Sequence, residues 1–532
     1  MSAITPESYI KLVRFDVTPE HQLTFSDGVT QVDYFKNTLE GVVLEASSYQ
    51  RKDFKVRFEA CIDEIEKYNY MIVQNAPYNY KYYFYYITNM EYANDEMTDV
   101  YIKLDVFQTY QFDFQYLNSF VEREHVNSDV VGEHTIPENL ETGEYIINYT
   151  ERMSTLMDYV FIVQCKKDMN GDVWLSTELG GIRYSGRFYA CSDYHSVANI
   201  IDFYANGSTL GLDITDIINI YIVPARFLPS PYIPAPKGFE PINSYSTNVE
   251  LNFSTNKPTS IDGYTPINKK LLTREFNYMI VSNECGGTEE LTYENFTTSN
   301  CQFLIEAIPT PSGSAKLTPK SYGNSGTSGN YNLFGLPSGK FPIIDSNYDY
   351  YRVWLNNNSF NIATGAIENT IQSIGSGISG TFSAFSGDVE SAISGAVGSY
   401  NIYGYAYQNF KKMHEVKRIP PVTISHASNG DITSANHDNT FTFYQMCIKK
   451  EYARVIDNFF SKFGYKVNDL KIPNITGRLN WNYVKTIEAN VESANVPEKY
   501  LNEFKSMLNK GVTFWHNANT FLDYSQTNSI VS

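Results

Sequence analysis

Residues 82–107 read YYFYYITNMEYANDEMTDVYIKLDVF, and this stretch decides the fold class. Val100, Ile102, Leu104 and Val106 alternate with Tyr101, Lys103, Asp105 and Phe107, the period of two that gives a strand one inward and one outward face. The run Tyr82 to Thr88 is too aromatic for a surface strand and reads as a strand covered on both faces. Asn94-Asp95 offers a turn between the two, so they should pair antiparallel. The same texture extends from Leu23 to about Tyr116. The whole chain shares the bias, with Tyr 43 and Phe 33 among 532 residues but only Trp 4. Tyr and Phe suit half-buried pleated surfaces, where one side packs and a hydroxyl reaches water. The expectation is a mainly β, multi-domain chain with short helices and wide interfaces between subunits.

Helical signals are few. Ser196 is placed to cap a short helix, Val197, Ile200, Ile201 and Tyr204 give it an apolar face, and Gly207 stops it. Ile217 to Val223 then reads as a buried strand ended by Pro224. Pro229, Pro231, Pro234, Pro236 and Pro241 make an extended connector and a candidate domain edge, because proline removes donors and biases its neighbours away from helix. Residues 309–339 are loop-like in composition. Nearer the end, Tyr452, Val455, Ile456, Phe459, Phe460 and Phe463 fall on one helical face closed by Gly464. Asn495 and Pro497 open another helix with a Leu501, Phe504, Leu508 stripe, ended by Gly511.

The net charge of −18 opposes a phosphate-gripping surface and so argues against nucleic-acid binding. Six cysteines, at 61, 165, 191, 285, 301 and 447, form no close pair and fit buried thiols in a reducing compartment. Residues 1–17 hold no apolar signal segment, and no run of 18 apolar residues predicts an ordinary membrane-crossing helix. Manufacture and assembly in a cytoplasm are expected.

Catalytic motifs are missing. GLPSGK at 335–340 has three residues between its glycines where a phosphate loop has four, Phe341 in place of the magnesium-holding hydroxyl, and a proline that removes a donor amide; it reads as a turn. Glu122, Glu124 and His125 are metal-ligand types, but their spacing fits no zinc or two-metal pattern and a solvated charged turn is the better reading. Neither GxSxG nor HExxH occurs. We expect no catalytic residue, no metal ligand and no cofactor, and no enzyme.

One segment departs from the rest. The 58 residues 353–410 lack Lys and Arg, although a gap of that length is close to what chance spacing of 41 cations leaves. Composition says more: residues 361–399 contain seven Gly, eight Ser, five Ala and six Ile, and neither Pro nor Tyr. Ile367, Ile371, Ile374, Ile378, Phe382, Phe385, Val389 and Ile393, continued by Val397, are spaced three or four apart, one stripe of a helix or helical hairpin. Gly375, Gly377, Gly380, Gly387, Gly395 and Gly398 each cost such a helix roughly 1 kcal/mol against alanine. It would therefore need partners, either neighbouring copies or a membrane, where small residues let backbones approach. Glu368, Asp388 and Glu390 would oppose insertion until neutralised, so acid or tight pairing should favour it. An ordinary core hairpin or a linker would fit the same pattern.

Three long, compositionally odd stretches carry a resemblance: YIKLDVFQTYQFDFQYLNSFVEREHV at 101–126, YARVIDNFFSKFGYKVNDLKIPNITGRLNWNYVKTI at 452–487, and KGVTFWH at 510–516. They resemble the distal tube, or tail knob, proteins of phi29-like short-tailed bacteriophages, a group with streptococcal and staphylococcal relatives. The resemblance covers roughly 70–130 and 440–520, while the middle matches mainly in layout. It implies a virion tail protein forming a homohexameric tube, in contact with other tail proteins at the collar or lower tube and at the tip. It also implies hydrophobic loops that plug the lumen, leave it on ejection and form a channel in the host membrane, with genomic DNA passing through without specific binding. Residues 353–410 sit where such a plug would be expected. Because the recognisable segments lie at both ends, the expected domains are a tube domain split between 1–165 and 440–532, a knob region at 166–352, the loop at 353–410 and a return segment at 411–439. The competing readings are a receptor- or cell-wall-binding adhesin, for which residues 312–339 would be the contact loop, and a cell-wall hydrolase.

Overall fold

The structure is a computed structural model that describes residues 8–44, 47–50, 54–75, 79–153, 159–282, 288–309, 314–323, 344–347 and 441–531. It is mainly β with a few short helices, and it divides into two compact units. The first comprises Met1–Thr142, Tyr264–Leu271 and Lys450–Ser532, so both ends of the chain build it; the second comprises Gly143–Gly263 and Leu272–Lys449.

In the first unit a seven-stranded antiparallel sheet runs in the order Gly41–Leu44, Ser8–Val13, Tyr70–Asn75, Tyr82–Asn94, Met97–Leu104, Lys55–Phe58, Ser47–Gln50. The aromatic run sits at its centre, and alternation explains why it tolerates so many rings. Tyr83, Tyr85 and Ile87 pack into a core with Phe107, Phe504 and Phe514. Tyr82, Phe84 and Tyr86 pack into another with Phe35, Trp481 and Trp515. Both faces are covered, as the composition requires. The strand that follows stops at Leu104, short of the period-two reading through Val106. Asp105 ends it by accepting a hydrogen bond from the Gln108 amide at 3.1 Å and opens a helical turn, Val106–Tyr110.

A second sheet in this unit has the order His21–Leu23, Val512–Trp515, Trp481–Glu488, Ser119–Glu124, Tyr465–Lys471, with only the first pair parallel. The Glu498–Lys510 helix follows Pro497, buries Phe504 and Leu508, and ends at Gly511 with φ +100°, as its pattern predicts. Phe504 stacks on Phe114 with centroids 4.2 Å apart.

The Lys450–Phe463 helix corrects its sequence reading. Its buried residues are Ala453, Ile456, Asp457 and Phe460, whereas Tyr452 lies exposed and Val455 is 69% exposed. Six apolar residues span more than one face of this helix, and a polar anchor on Asp457 decides which face turns inward.

The second unit holds three four-stranded sheets: Tyr145–Arg152, Thr442–Ile448, Asn277–Ser282, Thr288–Leu291; then Ile217–Pro224, Tyr159–Cys165, Arg187–Cys191, Phe239–Ile242; and Val249–Asn256, Asn300–Ile308, Ser314–Lys320, Ile344–Asn347. Phe188, Phe227, Phe303 and Phe443 share one core drawn from all three. Four readings change here. Asp193 caps the Tyr194–Asn206 helix through the Ser196 amide, so Ser196 belongs to its first turn, while Val197, Ile200 and Tyr204 face inward as expected. Ile217–Pro224 is an edge strand, with Ile218 half exposed. The proline-rich stretch lies inside the second unit and supplies the edge strand Phe239–Ile242, a position where a missing donor costs nothing. Ser314–Lys320, read as loop, is a ladder strand.

Candidate functional site

The plug residues Ile367, Ile371, Ile374, Ile378, Phe382, Phe385, Val389, Ile393 and Val397, the acids Glu368, Asp388 and Glu390, and the GLPSGK turn all lie outside the described residues.

Glu122, Glu124 and His125 end the Ser119–Glu124 strand and are not a solvated turn. Glu122 pairs outward with Lys485 at 2.8 Å. Glu124 is buried, accepts from the Asn474 amide at 2.8 Å and pairs with Lys471 at 2.5 Å. His125 is buried as well: its Nδ1 accepts from the Tyr483 amide at 2.7 Å and its Nε2 donates to the Ser461 carbonyl at 3.1 Å. That pairing selects the neutral ring, and burial pushes its pKa down to about 3. Glu122 and Glu124 tie the strand to its neighbours and His125 joins it to the Lys450–Phe463 helix, and no cluster of three or more metal-ligating acidic, histidine or cysteine residues occurs among the described residues. Gly464 sits beside them at φ +66°, where a Cβ would strike the Glu124 carbonyl.

Sequence reading missed a set of acids, buried Asp457 and Glu138 and half-buried Asp129, that hold residues 264–271 in the first unit. Asp457 accepts from the Tyr264 hydroxyl (2.6 Å), the Ile267 amide (2.7 Å), the Asn268 amide (2.9 Å) and Asn268 Nδ2 (2.7 Å). Asp129 accepts from the Lys269 amide at 3.1 Å and the Tyr465 hydroxyl at 2.6 Å. Glu138, fully buried, pairs with Lys270 and Arg123 and accepts from the Lys466 amide at 2.9 Å. Buried charge is tolerated only when paired in this way. The available signal was an aspartate inside the i, i+3, i+4, i+7 series 453, 456, 457, 460, where water cannot reach it.

The outer face of the five-stranded sheet is apolar in patches. Phe120 pairs directly with Leu470, which is 64% exposed and sits on the unpaired edge strand Tyr465–Lys471. Ile487, 60% exposed, is the extra residue of the bulge between Phe120 and Val121 in the pairing with Trp481–Glu488. Phe120, Leu470 and Ile487 thus give this face an apolar character beside its edge strand. No described helix is long and apolar enough to cross a membrane. Buried Cys165, Cys191, Cys301 and Cys447 and half-buried Cys61 are free thiols, in keeping with their scatter in sequence.

Comparison with known proteins gives this surface its setting. Residues 241–529 match the family of the Bacillus phage phi29 tail knob protein gp9, C-terminal domain, and residues 7–115 match the caudoviral major tail protein N-terminus. The chain is 24% identical to tail knob protein gp9 of Bacillus phage B103, covering 89% of this chain and 90% of that one, and 26% identical to its counterpart in phage phi29, covering 86% and 87%. The fold is shared with the bacteriophage C1 tail knob protein gp12, at TM-score 0.67 and 14% identity over 98% of this chain and all of that one. With the gp9 match extending over more than half of its length, the chain belongs to the family of phi29-type phage tail knob proteins, structural components of the virion tail.

Proposed function

We propose that six copies of this chain form a tube in the tail knob, closed by the 353–410 segment of each copy, and that these segments leave the lumen to open a channel through the host membrane for the genome. On this reading the tube wall is built by about 1–165 and 440–532, the knob by 166–352, with 411–439 as a return segment, and the chain does no chemistry. Neighbouring copies meet through surfaces such as Phe120, Leu470 and Ile487, and other tail proteins dock at the ends of the tube. The net charge of −18 per copy supports a lumen that repels DNA and lets it slide.

One observation carries the membrane step. The apolar series from Ile367 to Ile393 keeps a helical beat while glycines deprive it of independent stability. Such a segment holds its shape against copies of itself and exchanges that company for lipid. Two measurements test the proposal. Negative-stain images of the purified protein should show sixfold rings or tubes, and a trimer would sink it. Liposomes should release dye with the full-length protein and not with a deletion of 358–400; equal leakage from both removes the membrane step.

A further inference from the structure

The second unit contains a cavity of about 350 Å³ that the tube reading leaves without a role. It lies among the edge strand Tyr145–Arg152, the neighbouring strand Thr442–Ile448 and the 254–260 stretch that closes Val249–Asn256. Only three of its lining side chains lack a polar atom. The pairing of Tyr145–Arg152 with Thr442–Ile448 shifts register between Ile147 and Tyr149. Tyr149, just past that irregularity, is 57% exposed and lines the pocket, and strand irregularities of this kind are frequent beside functional sites. Two residues on, Glu151 accepts from the Thr255 hydroxyl at 2.5 Å, which fixes the carboxylate at the wall. Gln445 accepts from Asn148 at 3.2 Å and donates to Asn277 at 3.3 Å and to the Ser260 carbonyl at 3.5 Å, which leaves its Oε1 room to accept from one further donor.

The chemistry narrows the ligand. A phosphate or other anion would find one cation, Lys257, which already donates to the Phe296 carbonyl at 2.5 Å and shares the pocket with the Glu151 carboxylate. A metal ion would find one carboxylate. An apolar ligand would leave hydroxyls and amides desolvated and unpaired. What remains is a neutral ligand dense in hydroxyls, which donates to the carboxylate, exchanges hydrogen bonds with the amides and packs its C–H face on tyrosine rings. We propose that the pocket formed by Tyr149, Glu151, Thr255, Asn256, Tyr444 and Gln445 binds a neutral saccharide. This site goes beyond the channel reading and stands or falls without it.

Saturation-transfer NMR and titration calorimetry on the full-length protein test the site, with maltose, cellobiose and N,N′-diacetylchitobiose as neutral probes and glycerol 3-phosphate as an anionic one. At least one neutral disaccharide should bind with a dissociation constant near or below about 1 mM, a common range for one small site. Tyr149→Ala and Glu151→Gln should each weaken it tenfold or more, and Tyr149→Phe should retain most of the affinity. In the unmutated protein, hydrogen exchange should slow in 145–152 and 254–260 when that sugar is added, a readout independent of how the variants fold. Failure of every neutral probe to bind would overturn the proposal. So would binding that Tyr149→Ala and Glu151→Gln leave unchanged, protection elsewhere only, or a preference for glycerol 3-phosphate.

Discussion

Single residues in the first unit set its tolerance of acid. His125, buried, and His516, half-buried, are neutral, with pKa values pushed down by desolvation to about 3 and about 4. In the unfolded chain each takes up a proton near the ordinary 6.5, so the stability they confer is complete above that pH and is lost as pH falls. At pH 5 the loss is about 2 kcal/mol for each. Asp105 acts in the opposite sense. Burial pushes its carboxyl up to about 6, so the cost of its charge is relieved as pH drops from about 6 toward 3.8, recovering about 1 kcal/mol at pH 5. The expected net is a loss of about 2–3 kcal/mol between pH 7 and pH 5, read by urea unfolding through the fluorescence of Trp481 and Trp515 in the core. An unchanged midpoint would contradict it. Gly464 is a second sensitive point. Gly464→Ala must place a Cβ against the Glu124 carbonyl at a positive φ, and should cost about 2 kcal/mol or more by the same unfolding measurement.

At the scale of elements, the Lys450–Phe463 helix shows how a polar residue can choose a buried face. An apolar count favours the side with Tyr452, Val455 and Phe459, but Asp457 gathers four donors from Tyr264, Ile267 and Asn268, and those bonds turn it inward. Asp457→Ala should therefore destabilise the first unit by on the order of 3 kcal/mol, since buried donors lose their acceptor. Val455→Ala, on the exposed side, should cost under about 0.5 kcal/mol. Parallel thermal melts of the two variants decide it: similar losses would mean that the helix is held by its apolar residues alone.

At the scale of the whole molecule the predictions concern assembly and membrane action. Leu470→Glu with Ile487→Glu places charge on the outer face of the five-stranded sheet. Sedimentation should show a weakened oligomer while the melting temperature of the separated protomer stays put; an unaltered oligomer would exclude that face from the subunit contact. In the 353–410 segment, Glu368→Gln, Asp388→Asn and Glu390→Gln together remove the charge that resists insertion. The triple variant should release liposome contents at neutral pH as fast as the unaltered protein does in acid. If its leakage still requires acid, those carboxylates are not the barrier.

Periodicity was legible because it is local. Alternation at 82–104, the stripe of the Glu498–Lys510 helix and the stops at Gly207 and Gly511 follow from side-chain direction and backbone freedom within a few residues. The sequence by itself therefore determined the mainly β class and much of the first unit. What only the tertiary structure decided is where charge goes. Glu124, His125, Glu138 and Asp457 look like surface residues until partners at positions 474, 483, 270 and 268, distant along the chain in every case, supply the bonds that make their burial affordable. Burying a polar group is favourable only as part of a pair, and a pair that folding assembles leaves no mark on the residues around either member.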